Sequence, residues 1–327
     1  MSQNDAFAAL PASGFDERPI QSDGATVDEL IYRSWVQYLT ETLGRERDFA
    51  HQRAMADVQR TAARTVVERL RRSGWSLAGQ RILDVGSGHS ALAIELALAG
   101  AEVTAVEPSS AWREVAHRRT CEAGVPVRHV DAVGEQLPFA DGSFDGVISK
   151  QVLEHVQLPD RCLAEMARVL RDGGKFHITC ENYLAFREQH YGVRWWPALP
   201  RRLGALYLRA RGRNPEFLLR HVTYTYWPSL LASCVRNGLI ADDWLQWFDE
   251  TQSGWSTKQM AAYSAFLRVA NDEQARTWLA TLAGRRRWFR VGFQADGTKG
   301  RHAARRSCDF PLASEASRGA ACECQDR

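Results

Sequence analysis

The stretch ILDVGSGHSALAIELALAGAEVTAVEPSS, residues 82–110, decides the reading of this chain. An apolar run, Ile82 to Val85, meets a glycine-rich turn, Gly86-Ser87-Gly88. A helix-compatible stretch follows to Leu98, and a second apolar run, Val103 to Val106, ends at Glu107. The order is strand, tight turn, helix, strand, acid. Gly86 and Gly88 lack a Cβ, so the backbone there can turn sharply and come close to a ligand. The helix start aims its unpaired N–H groups at the same point. A carboxylate at the tip of the second strand, about 20 residues on, sits where a ribose diol would donate to it. The segment predicts an adenosine-type cofactor.

Outward from this unit, strand and helix patterns alternate. Strands are predicted at 81–85, 102–107, 126–130, 144–149 and 174–180, and helices at 90–99, 110–122 and 160–171. That alternation predicts an α/β protein with a doubly wound, mainly parallel Rossmann-like sheet. Residues 1–25, rich in Ser, Gly, Pro and Asp, predict a disordered N-terminus. Residues 26–79 predict N-terminal helices: Val58, Ala62, Val66, Val67 and Leu70 recur at helical spacing, and Gly74 is a stop. The main domain is expected over 80–294. Within it, the rhythm breaks at 182–227, where Tyr and Trp accumulate, and an insertion acting as a lid is expected. A helix at 228–237, a strand at 239–248, further helix at 256–283 and a closing strand at 287–293 follow. Residues 295–327 predict a disordered tail.

Composition narrows the class. The chain has 327 residues, 45% of them hydrophobic and 25% charged, and a net charge of +3. This is ordinary for a globular protein and argues neither for nor against nucleic acid. No apolar run reaches the ~18 residues of a membrane span. The N-terminus lacks the basic and apolar regions of a secretory signal. Of the seven cysteines, Cys121, Cys162, Cys180 and Cys234 lie in apolar patterns and read as reduced core residues. Cys322 and Cys324 lack a second ligand pair, so no metal is expected. A reducing cytoplasm is the expected compartment.

The spacing Gly86, Gly88, Ala91 also fits nicotinamide and flavin proteins, with Glu107 suitably placed. Downstream residues separate the two. ILDVGSGHS at 82–90 follows an Asp-x-Gly-x-Gly-x-Gly loop, with Ser90 at the third glycine. VTAVEPS at 103–109 gives the strand and its terminal acid. VDAVGEQLPFADGSFDGVIS at 130–149 joins an Asp to the fourth strand. QVLEHVQLPDRCLAEMARVLRDGGKFHIT at 151–179 supplies the helix and glycine turn before the fifth strand, with Asp172 where a proline is usual. On these four segments the chain resembles the class I S-adenosylmethionine (SAM)-dependent methyltransferases, in particular the small-molecule group that includes ubiquinone and menaquinone biosynthesis enzymes. The resemblance covers residues 80–181, roughly a third of the chain.

The resemblance implies SAM as cofactor and assigns roles by position. Gly86 and Gly88 would approach the methionine part, and Asp84 would fix its amino end. Glu107 would hold the ribose hydroxyls, and Asp131 with Ala132 would meet the adenine. Lys150 and Gln151 would line the methyl-donor pocket.

The acceptor is expected beyond the carboxyl ends of the strands, against segments 150–158 and 181–227. Tyr183, Tyr191, Trp195, Trp196 and Tyr224 are the expected lid residues. His190, His221 and His155 are the candidate bases, in that order, because histidine takes a proton near neutral pH; each is also readable as a hydrogen-bonded structural residue. Segment 200–220 interleaves leucines with arginines. It reads either as a solvated helix packed on the lid or as a peripheral contact with the inner membrane surface or a lipid-linked substrate.

The leading expectation is SAM-dependent methylation of a small-molecule acceptor at oxygen: a sugar, natural-product or lipid-linked intermediate. Alternatives are carbon methylation of a quinone-like or lipid acceptor, and a non-catalytic SAM- or nucleotide-binding protein. Nucleic acid is not an expected partner, because Ser149-Lys150-Gln151-Val152 stands where base amino-methylases carry an Asn/Asp-Pro-Pro-Tyr/Phe tetrapeptide.

Overall fold

The computed structural model describes residues 24–42, 54–183, 187–196, 198–241 and 292–300. Its centre is a seven-stranded sheet in the order β3-β2-β1-β4-β5-β9-β8. Strand β1 spans Arg81–Val85, β2 Glu102–Val106, β3 Val127–Val130, β4 Phe144–Lys150 and β5 Leu170–Glu181. These five run parallel, with Asp84 of β1 opposite Ala105 on one side and Ile148 on the other. Strands β8, Leu239–Ala241, and β9, Gly292–Lys299, close the sheet in antiparallel pairing. The chain winds outward through β2 and β3, then crosses back to β4. That reversal leaves a crevice beyond the carboxyl ends of β1 and β4, where open α/β sheets take their ligands.

Period-2 alternation fixes which core each strand residue joins. Leu83, Val85, Val106 and Val147 face one side, against Leu163 and Met166 of helix α5, Pro159–Val169, and Leu230 and Cys234 of α8, Trp227–Arg236. Ile82, Val103, Ala105 and Ile148 face the other, against α2, Met55–Arg72, and α3, Ala91–Leu98. The predicted N-terminal helices are therefore part of the sheet's own core. Helix α1, Val27–Gln37, packs through Leu30 and Ile31 onto Val115 of α4, Ser110–Glu122, and continues into a π-helical turn, Tyr38–Thr42.

The insertion builds a third core. It holds a short hairpin, β6 Arg187–Glu188 and β7 Val193–Arg194, then helices α6 Arg201–Ala210 and α7 Glu216–Arg220. Tyr183, Tyr191, Trp195, Leu208, Phe217 and Leu218 are buried together, joined by Leu39 from the π-helical turn. Gly204 sits under Trp195: a Cβ there would lie 2.6 Å from the indole.

The predicted strands at 81–85, 102–107, 126–130 and 144–149 agree with β1 to β4 within one residue. β5 starts at Leu170, earlier than the predicted 174. The closing strand is displaced: β9 runs to Lys299, so residues 295–299 belong to the sheet rather than to the tail. Cys162, Cys180 and Cys234 are buried free thiols, but Cys121 is exposed on α4, contrary to its reading as a core residue. The predicted helix at 256–283 and Cys322 and Cys324 lie outside the described residues.

Candidate active site

A cavity of about 670 Å³ opens at the carboxyl ends of β1, β2 and β4. Its first end is made by the glycine turn. Gly86 has φ +71, and a Cβ on it would fall 2.3 Å from Val152, so only glycine fits. Ser90 keeps φ +56 at the position of the usual third glycine, so the backbone path survives at some strain. Glu107 accepts from the N–H of Gly88 at 3.0 Å and of Ser109 at 3.0 Å, which ties the β2 tip to the turn. Burial raises the Glu107 pKa, and those two hydrogen bonds pull it back. Asp84 is 2% exposed, and its Oδ2 has no hydrogen-bond partner. Burial pushes its pKa up to about 7, opposed by the Lys150 ammonium and reinforced by Glu107. An orphaned carboxylate of this kind fits a ligand ammonium, and Glu107 at the strand tip fits a diol. The residues present thus fit SAM.

The second end is acidic and imidazole-rich. Glu154, His155, Glu181, His190 and His221 line it. Gln151, strained at φ +56 where β4 ends, donates from Nε2 to Glu181 at 2.8 Å. Burial pushes Glu181 up to about 8 and Glu154 up to about 7. His190 Nδ1 donates to Glu188 Oε1 at 2.8 Å. Burial lowers the His190 pKa, but the Glu188 bond and the Glu154 and Glu181 charges outweigh it, and the net shift is upward. His155 Nδ1 donates to the His221 carbonyl at 3.2 Å, and burial holds its pKa down to about 3. Glu188 also accepts from the Tyr183 hydroxyl at 3.1 Å and the Tyr191 N–H at 2.7 Å.

Of the residues expected at the cofactor, Asp84, Gly86, Gly88, Glu107, Ala132, Lys150 and Gln151 line the cavity. Asp131 does not: Arg113 pairs with it at 2.7 Å on the exposed rim. All three expected histidines line the cavity. None of the five expected lid residues does. Tyr183 stacks on Tyr224 at 4.3 Å, Tyr191 donates to the Asn214 carbonyl at 2.8 Å, and Trp195 is buried beside α6. Trp196 lies edge-on to Tyr207, largely exposed. The apolar area of Tyr183, Tyr191, Trp195 and Tyr224 stabilises the insertion's core instead. Sequence reasoning missed Ser34, Trp35 and Tyr38, which reach the cavity from α1 and the π-helical turn, and Trp112 and His89, whose rings pack at 4.9 Å. It also missed Glu188. The Glu188-x-His190 spacing and the aromatic pair Trp35 and Tyr38, one helical turn apart, were the available signals.

Sheet order, glycine turn and crevice define the Rossmann-like class I methyltransferase fold. Residues 83–178 match the family model described as a methyltransferase domain. A ubiquinone biosynthesis O-methyltransferase of Xanthomonas euvesicatoria pv. vesicatoria (strain 85-10) is 37% identical over 107 residues, covering 32% of this chain and 45% of that protein. An uncharacterized methyltransferase of Mycolicibacterium vanbaalenii is 36% identical over 169 residues, covering 51% of this chain and 62% of that one. The chain thus spans less than two thirds of these relatives' length. Among solved structures, Haemonchus contortus phosphoethanolamine N-methyltransferase 2, in complex with SAM, is similar at TM-score 0.46 and 19% identity, over 74% of this chain and 52% of that one. Residues 83–178 are a class I SAM-dependent methyltransferase domain.

Proposed function

We propose that this protein transfers a methyl group from SAM to an oxygen of a small organic acceptor. One observation carries the reading: a single cavity has a glycine-turn end that fits the cofactor and a buried acid–imidazole end beside it. The O-methyltransferase among the relatives supports oxygen as the acceptor atom.

Bound SAM supplies a methyl group on a positively charged sulfur, already activated for in-line displacement. The protein's task is position, exclusion of water and an outlet for the acceptor's proton. Asp84 would hold the cofactor's amino end and Glu107 its ribose. Val152 braces the turn against Gly86. Trp35, Tyr38 and Trp112 form apolar wall. The acceptor hydroxyl docks against Glu154, His155 and His190, with Glu188 fixing the ring of His190.

The exposed face of α6 suits an acceptor delivered from an anionic lipid surface. Leu203 and Leu206 are 55% and 63% exposed, and Trp196 beside them is 56% exposed. Arg202, Arg209 and Arg211 are exposed around them, and the helix contains no acid. Apolar side chains ringed by arginines suit the interface of an anionic bilayer.

The test is transfer of labelled methyl from SAM to a panel of catechol, phenol and sugar acceptors. Label on an acceptor oxygen is expected, lost at least tenfold in His190→Ala. Label on carbon would replace oxygen as the acceptor atom. Sedimentation with phosphatidylglycerol vesicles tests the α6 face; binding that Leu203→Ser with Leu206→Ser leaves unchanged would remove it.

A further inference from the structure

The acid–imidazole end contains a donor set that proton transfer alone does not explain. Glu154 and His155 follow β4, and His190 lies in the turn between β6 and β7. One carboxylate oxygen and one nitrogen from each imidazole lie within 4.8 Å of one another. Glu154 is 0% exposed, and neither of its oxygens has a hydrogen-bond partner. The backbone N–H groups of Glu154 and Glu181 lie near the carboxylate but outside hydrogen-bonding geometry. A carboxylate buried this way is costly unless a cation or donor compensates it.

Both histidines are held from behind. A carbonyl can only accept, so His155 carries its proton on Nδ1, toward the His221 oxygen at 3.2 Å. His190 directs Nδ1 to Glu188 Oε1 at 2.8 Å. Each ring then keeps its lone pair on Nε2. Metal-bound histidines have this arrangement: the second ring N–H is fixed by a carbonyl or a carboxylate, which sets tautomer and orientation. Glu188 is in turn anchored by the Tyr183 hydroxyl and the Tyr191 N–H.

We propose that Glu154, His155 and His190 bind a divalent transition-metal ion at the acceptor end of the cavity, with Glu188 and the His221 carbonyl as its outer supports. Two imidazoles and one carboxylate suit zinc or ferrous iron better than the hard, all-oxygen cations. Bonds of about 2.0–2.2 Å put tetrahedral donors about 3.4 Å apart, so atoms that stand within 4.8 Å of one another close by up to about 1.4 Å when the ion binds. Three protein ligands leave coordination positions open to the cavity. The ion's use in transfer rests on the methyltransferase reading: it would hold an acceptor hydroxyl and stabilise the oxygen anion from which transfer occurs. Binding of the ion does not rest on it.

The full chain, stripped with chelator, is titrated with Zn²⁺ and with Mn²⁺ by calorimetry, and separately with SAM. One ion per chain is expected. Affinity should fall at least tenfold in Glu154→Gln, and by about ten- to a hundredfold in Glu188→Gln, the range for lost outer supports. SAM affinity should stay within about threefold in both variants, which also reports that they fold. Protein that binds SAM but neither ion stoichiometrically would overturn the proposal. So would ion affinity unchanged across Glu154→Gln, His155→Ala and His190→Ala. Metal binding without SAM binding would instead refute the methyltransferase reading and leave the metal site standing.

Discussion

The two ends of the cavity are built by different means. The cofactor end is local: Asp84, Gly86, Gly88 and Glu107 lie within 24 consecutive residues of one strand–turn–helix–strand unit, and parallel pairing of β1 and β2 places them. The acceptor end is assembled from afar. Glu154 and His155 come from the loop after β4, Glu181 from the tip of β5, and His190 from a hairpin held by the insertion's own core. A local motif carries its geometry with it. A composite wall depends on whether a separate core is intact.

That contrast predicts separable failures. The largest effect falls on Gly86→Ala: left-handed φ and a Cβ at 2.3 Å from Val152 distort the turn, so SAM affinity should fall at least a hundredfold. Trp195→Ala empties part of the insertion core at a cost of about 3–5 kcal/mol, read by denaturant unfolding. SAM affinity should survive it within about threefold while transfer to acceptor collapses. Equal loss of both would show that the ends are one unit.

Asp84 sharpens the comparison through pH. Its folded pKa is raised to about 7, mainly by burial, so the folded state holds this proton more tightly than the unfolded chain does. Between about pH 4 and 7 the folded state binds more protons, and stability from this group falls as pH rises through that window. Asp84→Asn removes the contribution. Its stability advantage over the ligand-free wild type should grow by about 2–3 kcal/mol from pH 5 to pH 8, while SAM binding is lost. A pH-independent difference in Tm would contradict the assignment. The smallest effect is Ser90→Gly, which relieves φ +56 and a buried, unpartnered hydroxyl and should stabilise by about 1 kcal/mol.

The same contrast explains what the sequence made legible. Strand–helix alternation and the glycine turn are short-range signals: they place β1 to β4, and seven of the eight residues expected at the cofactor line the cavity. Asp131, expected at the adenine, stands on the rim in a pair with Arg113, 18 residues away on α4, which no local pattern displays. The aromatic insertion reads as a lid on composition alone. Tyr183, Tyr191, Trp195 and Tyr224 instead pack against one another, since composition does not say which face of a segment turns inward. Trp35 and Tyr38 escaped because nothing local links α1 to a crevice some 50 residues later. Glu154 carries no signal of its own in the sequence; its significance lies in burial without a partner, which no sequence pattern displays.

The central claim is that the β1–β2 unit holds SAM through Glu107 at one end of this cavity. Calorimetry of the full chain with SAM, and with NAD as the competing dinucleotide, tests it most directly. One SAM per chain is expected, with affinity reduced at least tenfold in Glu107→Ala and no NAD binding. NAD bound in place of SAM, or SAM binding indifferent to Glu107→Ala, would contradict it.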